Sequence, residues 1–134
     1  MLTTFIMIDP HYNDLDTFCT FTVGNGMCRA SLDIYANEPQ LLFLIESLEA
    51  ESIDPETQKI DFDPTDECCM NIGFSVEQSG SEKTLIVTMV DSLNDLGPYR
   101  AEIHIRLTQD DATDLAAELR VWVNNPVCQF IWKQ

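Results

Sequence analysis

Few residues in this 134-residue chain stand where covalent chemistry could use them. Its histidines are His11 and His104, and its five cysteines lie at positions 19, 28, 68, 69 and 128. An odd number of thiols cannot all pair within one chain, and neighbours such as Cys68 and Cys69 seldom bridge each other. No Cys-x-x-Cys occurs, so the spacing of a zinc site or a dithiol redox pair is missing. A thiol nucleophile needs a base beside it in space, which leaves Cys28 with His104 to weigh. Strand parity opposes that pair: Cys28 shares the apolar side of its run with Ala30, Leu32 and Ile34, while His104 shares a charged side with Arg100, Glu102 and Arg106. Gly-x-Ser-x-Gly, a phosphate-cradling glycine loop and His-Glu-x-x-His are all absent from the sequence. Asp61-Phe62-Asp63-Pro64-Thr65 offers oxygens at the first, third and fifth places of a calcium loop. Asp66 then stands where the turn needs Gly, and Ile72 where the ligand set needs Glu. The expectation is no catalytic residue, no metal site and no cofactor.

What the chain has in excess is carboxylate. It carries 23 acidic residues against 7 basic, a formal net charge of −16 and a pI near 4.1. From Glu46 through Glu67 run Glu46, Glu49, Glu51, Asp54, Glu56, Asp61, Asp63, Asp66 and Glu67, opposed only by Lys59. Such a run is either a solvated connection or a surface matched to a basic protein. Because the whole chain shares the bias, we assign partner binding to Glu49, Glu51, Asp54, Glu56, Asp61, Asp63, Asp66 and Glu67. Complementary charge of this kind raises association rates by roughly 10–10³ at low salt. The same balance is read as excluding nucleic acid and any polybasic membrane anchor, because both demand clustered Lys and Arg.

The elements that must position these groups follow from periodicity. Phe18 to Val23 and Met27 to Tyr35 flank Gly24-Asn25-Gly26, the pattern of a hairpin. Asn37-Glu38-Pro39 opens a helix, with Pro in the first turn, and Leu41, Leu44, Ile45 and Leu48 give it one apolar stripe. The acidic connection Ser52 to Glu67 follows, with a short strand around Lys59 to Phe62. Cys68 to Gln78, Lys83 to Asp91 and Tyr99 to Thr108 alternate as a meander. The middle run is apolar on both sides, as a central strand is. Thr108 and Asp111 have the spacing of a capping box. Ala112, Leu115, Ala116, Leu119, Trp122 and Val123 then keep helical spacing until Asn124-Asn125-Pro126 stops the helix. Val127 to Trp132 is a last strand or an apolar tail. Arg29, Ser31, Asp33 and Tyr35 are expected to share one wet sheet face with Arg100, His104, Arg106, Ile86 and Val90. That face is either an interface or is closed by the N-terminal segment Leu2 to Ile8. The fold expected is α+β, an antiparallel sheet of about five to six strands with two helices packed on one face, forming a single domain over residues 1–134. The N-terminus lacks a positive start, and the longest apolar run elsewhere, Leu41 to Ile45, is too short to cross a bilayer. A reduced, cytoplasmic protein without membrane contact is expected.

The block from Ala30 through Tyr35 and Pro39 to Leu44 is a strand feeding a helix, and an acidic connection follows it. With the paired runs Leu85 to Val90 and Ala101 to Leu107 and the closing helix Asp114 to Leu119, it resembles the small bacterial immunity proteins of the WapI type over residues 18–124. The Trp-rich middle of that family is absent from Ser52 to Glu67. The resemblance implies a non-catalytic protein that neutralises a toxin, often a nuclease, through a basic surface on the toxin. Two other classes compete. An acidic dimeric secretion chaperone has this size and charge, although such chains usually begin with a helix. A small enzyme would depend on a Cys or His that the acidic surface does not involve. The sequence leaves monomer and homodimer both open.

Overall fold

The structure is a computed structural model that describes residues 4–11, 18–26, 28–35, 38–50, 59–62, 70–91, 99–126 and 128–134. Strands β1 (Thr4–Pro10), β2 (Phe18–Asn25) and β3 (Cys28–Tyr35) precede helix α1 (Glu38–Glu49). Strands β4 (Lys59–Phe62), β5 (Met70–Ser79), β6 (Glu82–Asp91) and β7 (Tyr99–Leu107) precede helix α2 (Gln109–Val123), and β8 (Phe130–Lys133) ends the description. The α+β class stands, but the single sheet does not. There are two four-stranded antiparallel sheets, ordered β3-β2-β1-β8 and β4-β5-β6-β7.

Two expectations fail together at the N-terminal segment. Instead of closing over a sheet face, Thr4 to Pro10 is an interior strand, with β2 on one side and β8 on the other. The wet face expected to unite Arg29 with Arg100 and Arg106 is consequently divided, because β3 and β7 belong to different sheets. Each sheet holds a meander that leads into a helix: β1-β2-β3 into α1, with β8 added beside β1, and β4-β5-β6-β7 into α2.

Alternation places the core. Ile6 and Ile8, then Cys19, Phe21 and Val23, face inward from sheet one, as do Ile72, Phe74, Leu85, Val87, Met89, Ile103 and Ile105 from sheet two. The stripes Leu41, Leu44, Ile45, Leu48 on α1 and Ala112, Leu115, Ala116, Leu119 on α2 join the same cluster. Phe21 meets Phe74 between the sheets with ring centroids 6.2 Å apart. Trp122 of α2 meets Phe130 of β8 edge-on at 6.1 Å.

The first hairpin turns one step later than its glycines suggest. Gly26 has the positive φ of +65° that the turn requires, while Gly24 and Asn25 remain in β2, opposite Arg29 and Cys28. Gly24 serves another purpose: a Cβ there would come within 2.3 Å of the Phe5 ring. Phe5 is its direct cross-strand partner, so the missing side chain lets the ring lie against the sheet.

Candidate functional site

The residues assigned to partner binding are only partly placed. Glu49 closes α1, exposed, and its Oε1 accepts hydrogen bonds from Arg120 Nη2 at 2.8 Å and Nε at 3.1 Å. Asp61 occupies the β4 position paired with Gly73 of β5. Glu51, Asp54, Glu56, Asp63, Asp66 and Glu67 lie outside the described residues.

A second group of carboxylates stands on the closing helix, on its β8 side: Asp114 accepts from Trp132 Nε1 at 3.2 Å and Glu118 lines the groove beside β8. The two helices pack together, and their solvent side bears Glu46 and Glu49 on α1 and Asp110, Asp114 and Glu118 on α2, all exposed, with Asp111 half-buried. The basic residue described on either helix is Arg120, which is bound to Glu49. The α2 carboxylates belong there for local reasons. Thr108 Oγ1 accepts from the Asp111 N–H at 3.1 Å while the Asp111 carboxylate accepts from the Thr108 N–H, so the expected capping box is present. The Gln134 amide also donates to Asp111, at 2.9 Å. That bond, then those from the Thr108 backbone and side chain, hold the Asp111 carboxyl below the usual carboxylate range against partial burial. Glu118 moves the other way, pushed up by desolvation and by the neighbouring charge of Asp114.

Lys83 holds one end of this surface, and sequence reasoning missed it. Its side chain is fully buried, on the inward side of β6 with Leu85, Val87 and Met89. Its Nζ donates to the carbonyls of Leu48 at 2.9 Å, Ser47 at 3.5 Å and Ala50. The last turn of α1 contains no basic residue of its own. Lys83 therefore supplies from the sheet the cation and donors that a helix C-terminus lacks. Burial lowers its pKa from the ordinary 10.5. Its parity with Leu85 was the available signal.

The outer sheet faces are chemically different from the helices. Cross-strand register sets Lys133, Phe5, Gly24 and Arg29 in one row of sheet one. The Arg29 guanidinium carbon lies 5.8 Å from the Phe5 ring centroid, a cation–π contact. A second row holds Ile131, Met7, Thr22 and Ser31, the two hydroxyls 2.7 Å apart. In a third, Thr20 donates to Asp33 and lies 2.7 Å from His11 Nε2. This places the hydroxyl between imidazole and carboxylate, whereas a hydrolytic triad places the imidazole in the middle. On sheet two, Arg100 and Arg106 are exposed, and His104 sits 2.9 Å from Glu102. Among the described residues, neither ion pair involves Arg29, Arg100, Arg106 or Lys133.

Two concavities lie beside these faces. A polar one of about 420 Å³ is lined by Thr4, Asn25, Glu77, Thr84, His104, Arg106 and Gln134. It forms where the end of sheet one meets the edge of β7, whose His104 and Arg106 carbonyls accept from the Asn25 and Gln134 amides. An apolar groove of about 560 Å³ runs between α2 and β8, lined in part by Ala117, Val121, Trp122, Phe130 and Ile131. Cys28 is exposed and not buried as its parity implied, because it lies at the strand end beyond the core. It does not line the pocket that contains His104. Among the described residues no three His, Cys, Asp or Glu side chains are grouped to hold a metal. No helix among them is long and apolar enough to cross a membrane.

No known family model matches the chain, and no curated protein does. Its fold is similar to that in the crystal structure of WHY3 from Arabidopsis thaliana, with a TM-score of 0.52 and 14% identity, covering 90% of this chain and 79% of that one. WHY3 is a single-stranded nucleic-acid-binding protein. The exclusion of nucleic acid read from net charge is therefore withdrawn. Net charge is an average over the molecule, and it concealed four basic residues on the sheet faces, Arg29, Arg100, Arg106 and Lys133.

Proposed function

We propose that this is a non-catalytic binding protein whose acidic helix surface receives a basic protein, as an immunity protein receives its toxin. The observation that carries this reading is the excess of acid on the helices. Glu46, Glu49, Asp110, Asp111, Asp114 and Glu118 occupy the two helices with Arg120 alone to oppose them. Such a surface attracts a cationic partner over a Debye length, about 10 Å at 0.1 M salt, and steers its approach. This reading expects a toxin gene beside this one, and the test is stopped-flow association with that toxin's C-terminal domain. Reversing Glu46, Asp110 and Glu118 together to Lys is expected to slow association by roughly 10–10³ at low salt while far-UV circular dichroism is unchanged. An unaltered rate would remove the helices from the interface.

One specific observation favours a second reading, single-stranded nucleic acid on the outer face of sheet one. The Phe5 ring lies in a row between Arg29 and Lys133, and bases stack on such rings while cations meet the phosphates. The fold shared with WHY3 supports it. Fluorescence anisotropy with an oligothymidylate decides: binding at low salt, weakened by about 1–3 kcal/mol in Phe5→Ala, supports this reading. No binding by the unaltered protein ends it.

A further inference from the structure

β8 is the outer strand of its sheet, and half of its backbone polar groups face away from β1. The Gln134 N–H donates to the Thr4 carbonyl at 3.0 Å, which sets the parity of the ladder. Alternate residues of an antiparallel pair bond to the same neighbour, so Trp132 and Phe130 bond to β1. The N–H and C=O groups of Ile131 and Lys133 point outward. Ile131 is 47% exposed and Val121, across the groove on α2, is 74% exposed. The apolar groove runs along this edge, against which no described strand pairs.

The strand is complementary to itself. Turned antiparallel about Ile131, it sets the outward groups of one copy against those of the other: Ile131 on Ile131, and Lys133 opposite Gln129 at each end. Gln129 donates to the Asp9 carboxylate, so each Lys133 ammonium arrives beside an acid of the opposite copy, twice over. A two-fold contact requires this kind of match between a surface and itself. We propose that two copies of this chain pair β8 to β8 across a two-fold axis at Ile131, joining their sheets into one. The contact involves no residue of α1, and Glu118 of α2 lines the groove beside it. Each copy carries a net charge of −16, so repulsion opposes the dimer and screening favours it.

Sedimentation equilibrium of the full chain, at low and high sodium chloride, tests the pairing. The expected result is a monomer–dimer equilibrium that tightens as salt rises. Ile131→Lys sets two ammonium groups on the axis without touching the inner ladder, and is expected to weaken dimerisation by about tenfold or more. Ile131→Pro removes only an outward donor and should act in the same direction. Lys133→Glu and Asp9→Lys should each weaken the dimer, and the two together restore it. A monomer at every concentration and salt, or a dimer that Ile131→Lys leaves intact, overturns the proposal.

Discussion

Lys83 is the residue on which the order of the α1 terminus depends. A lysine ammonium is rarely buried, and here three backbone carbonyls accept from it. Lys83→Met keeps the length and apolar stem but leaves those carbonyls without their donor. We expect a loss of about 1–3 kcal/mol in urea unfolding. The pH dependence has a definite sign. With the folded pKa lowered below 10.5, the unfolded chain binds more protons between the two values. The Lys83 contribution to stability therefore rises with pH through that window. Urea midpoints of wild type and Lys83→Met, compared at rising alkaline pH, should diverge in favour of wild type.

At the scale of elements, α2 depends on its first turn. Asp111 accepts from Thr108 within its own helix and from Gln134 beyond β8, so one carboxylate ties the helix start to the end of sheet one. Asp111→Asn is expected to cost about 0.5–2 kcal/mol, measurable by thermal unfolding at neutral pH. Because the folded pKa lies below the ordinary 3.8, this stabilisation is present above 3.8 and lost as pH falls through the folded value. The wild-type and Asn proteins should converge in acid. This capping box was legible from spacing alone, as were the stripe of α1 and the alternation of β5, β6 and β7, because each is a local pattern with one dominant face. β1 was not legible. In Thr4 to Pro10 both parities carry large apolar residues, Phe5 and Met7 against Ile6 and Ile8, so no single wet side marks the strand. Lys83 hid for the opposite reason: a lysine reads as solvated until the helix end above it is known. Of the residues assigned from charge, Glu49 lies at the end of α1. Of the α2 carboxylates only Asp111 was read, as a capping residue, since no local pattern says that two helices distant in sequence lie side by side.

For the whole molecule, a net charge of −16 predicts opposite salt responses for the two proposed associations. Docking of a basic partner on the helices should weaken as ionic strength rises, while pairing of two like-charged copies through β8 should strengthen. Titrating sodium chloride against both in one series distinguishes them, and parallel responses would contradict the assigned surfaces. The paired meanders were hidden from sequence because one of them is assembled from opposite ends of the chain. Asp9 and Gln129, which meet beside β1 and β8, are 120 residues apart. Closing so long a loop is slow. On the ribosome, a nascent chain that has emerged as far as α2 therefore holds one sheet with all its strands and another with β1 still bare along one side. Vectorial synthesis leaves that bare side of β1 open to chaperones until Phe130 to Lys133 arrive.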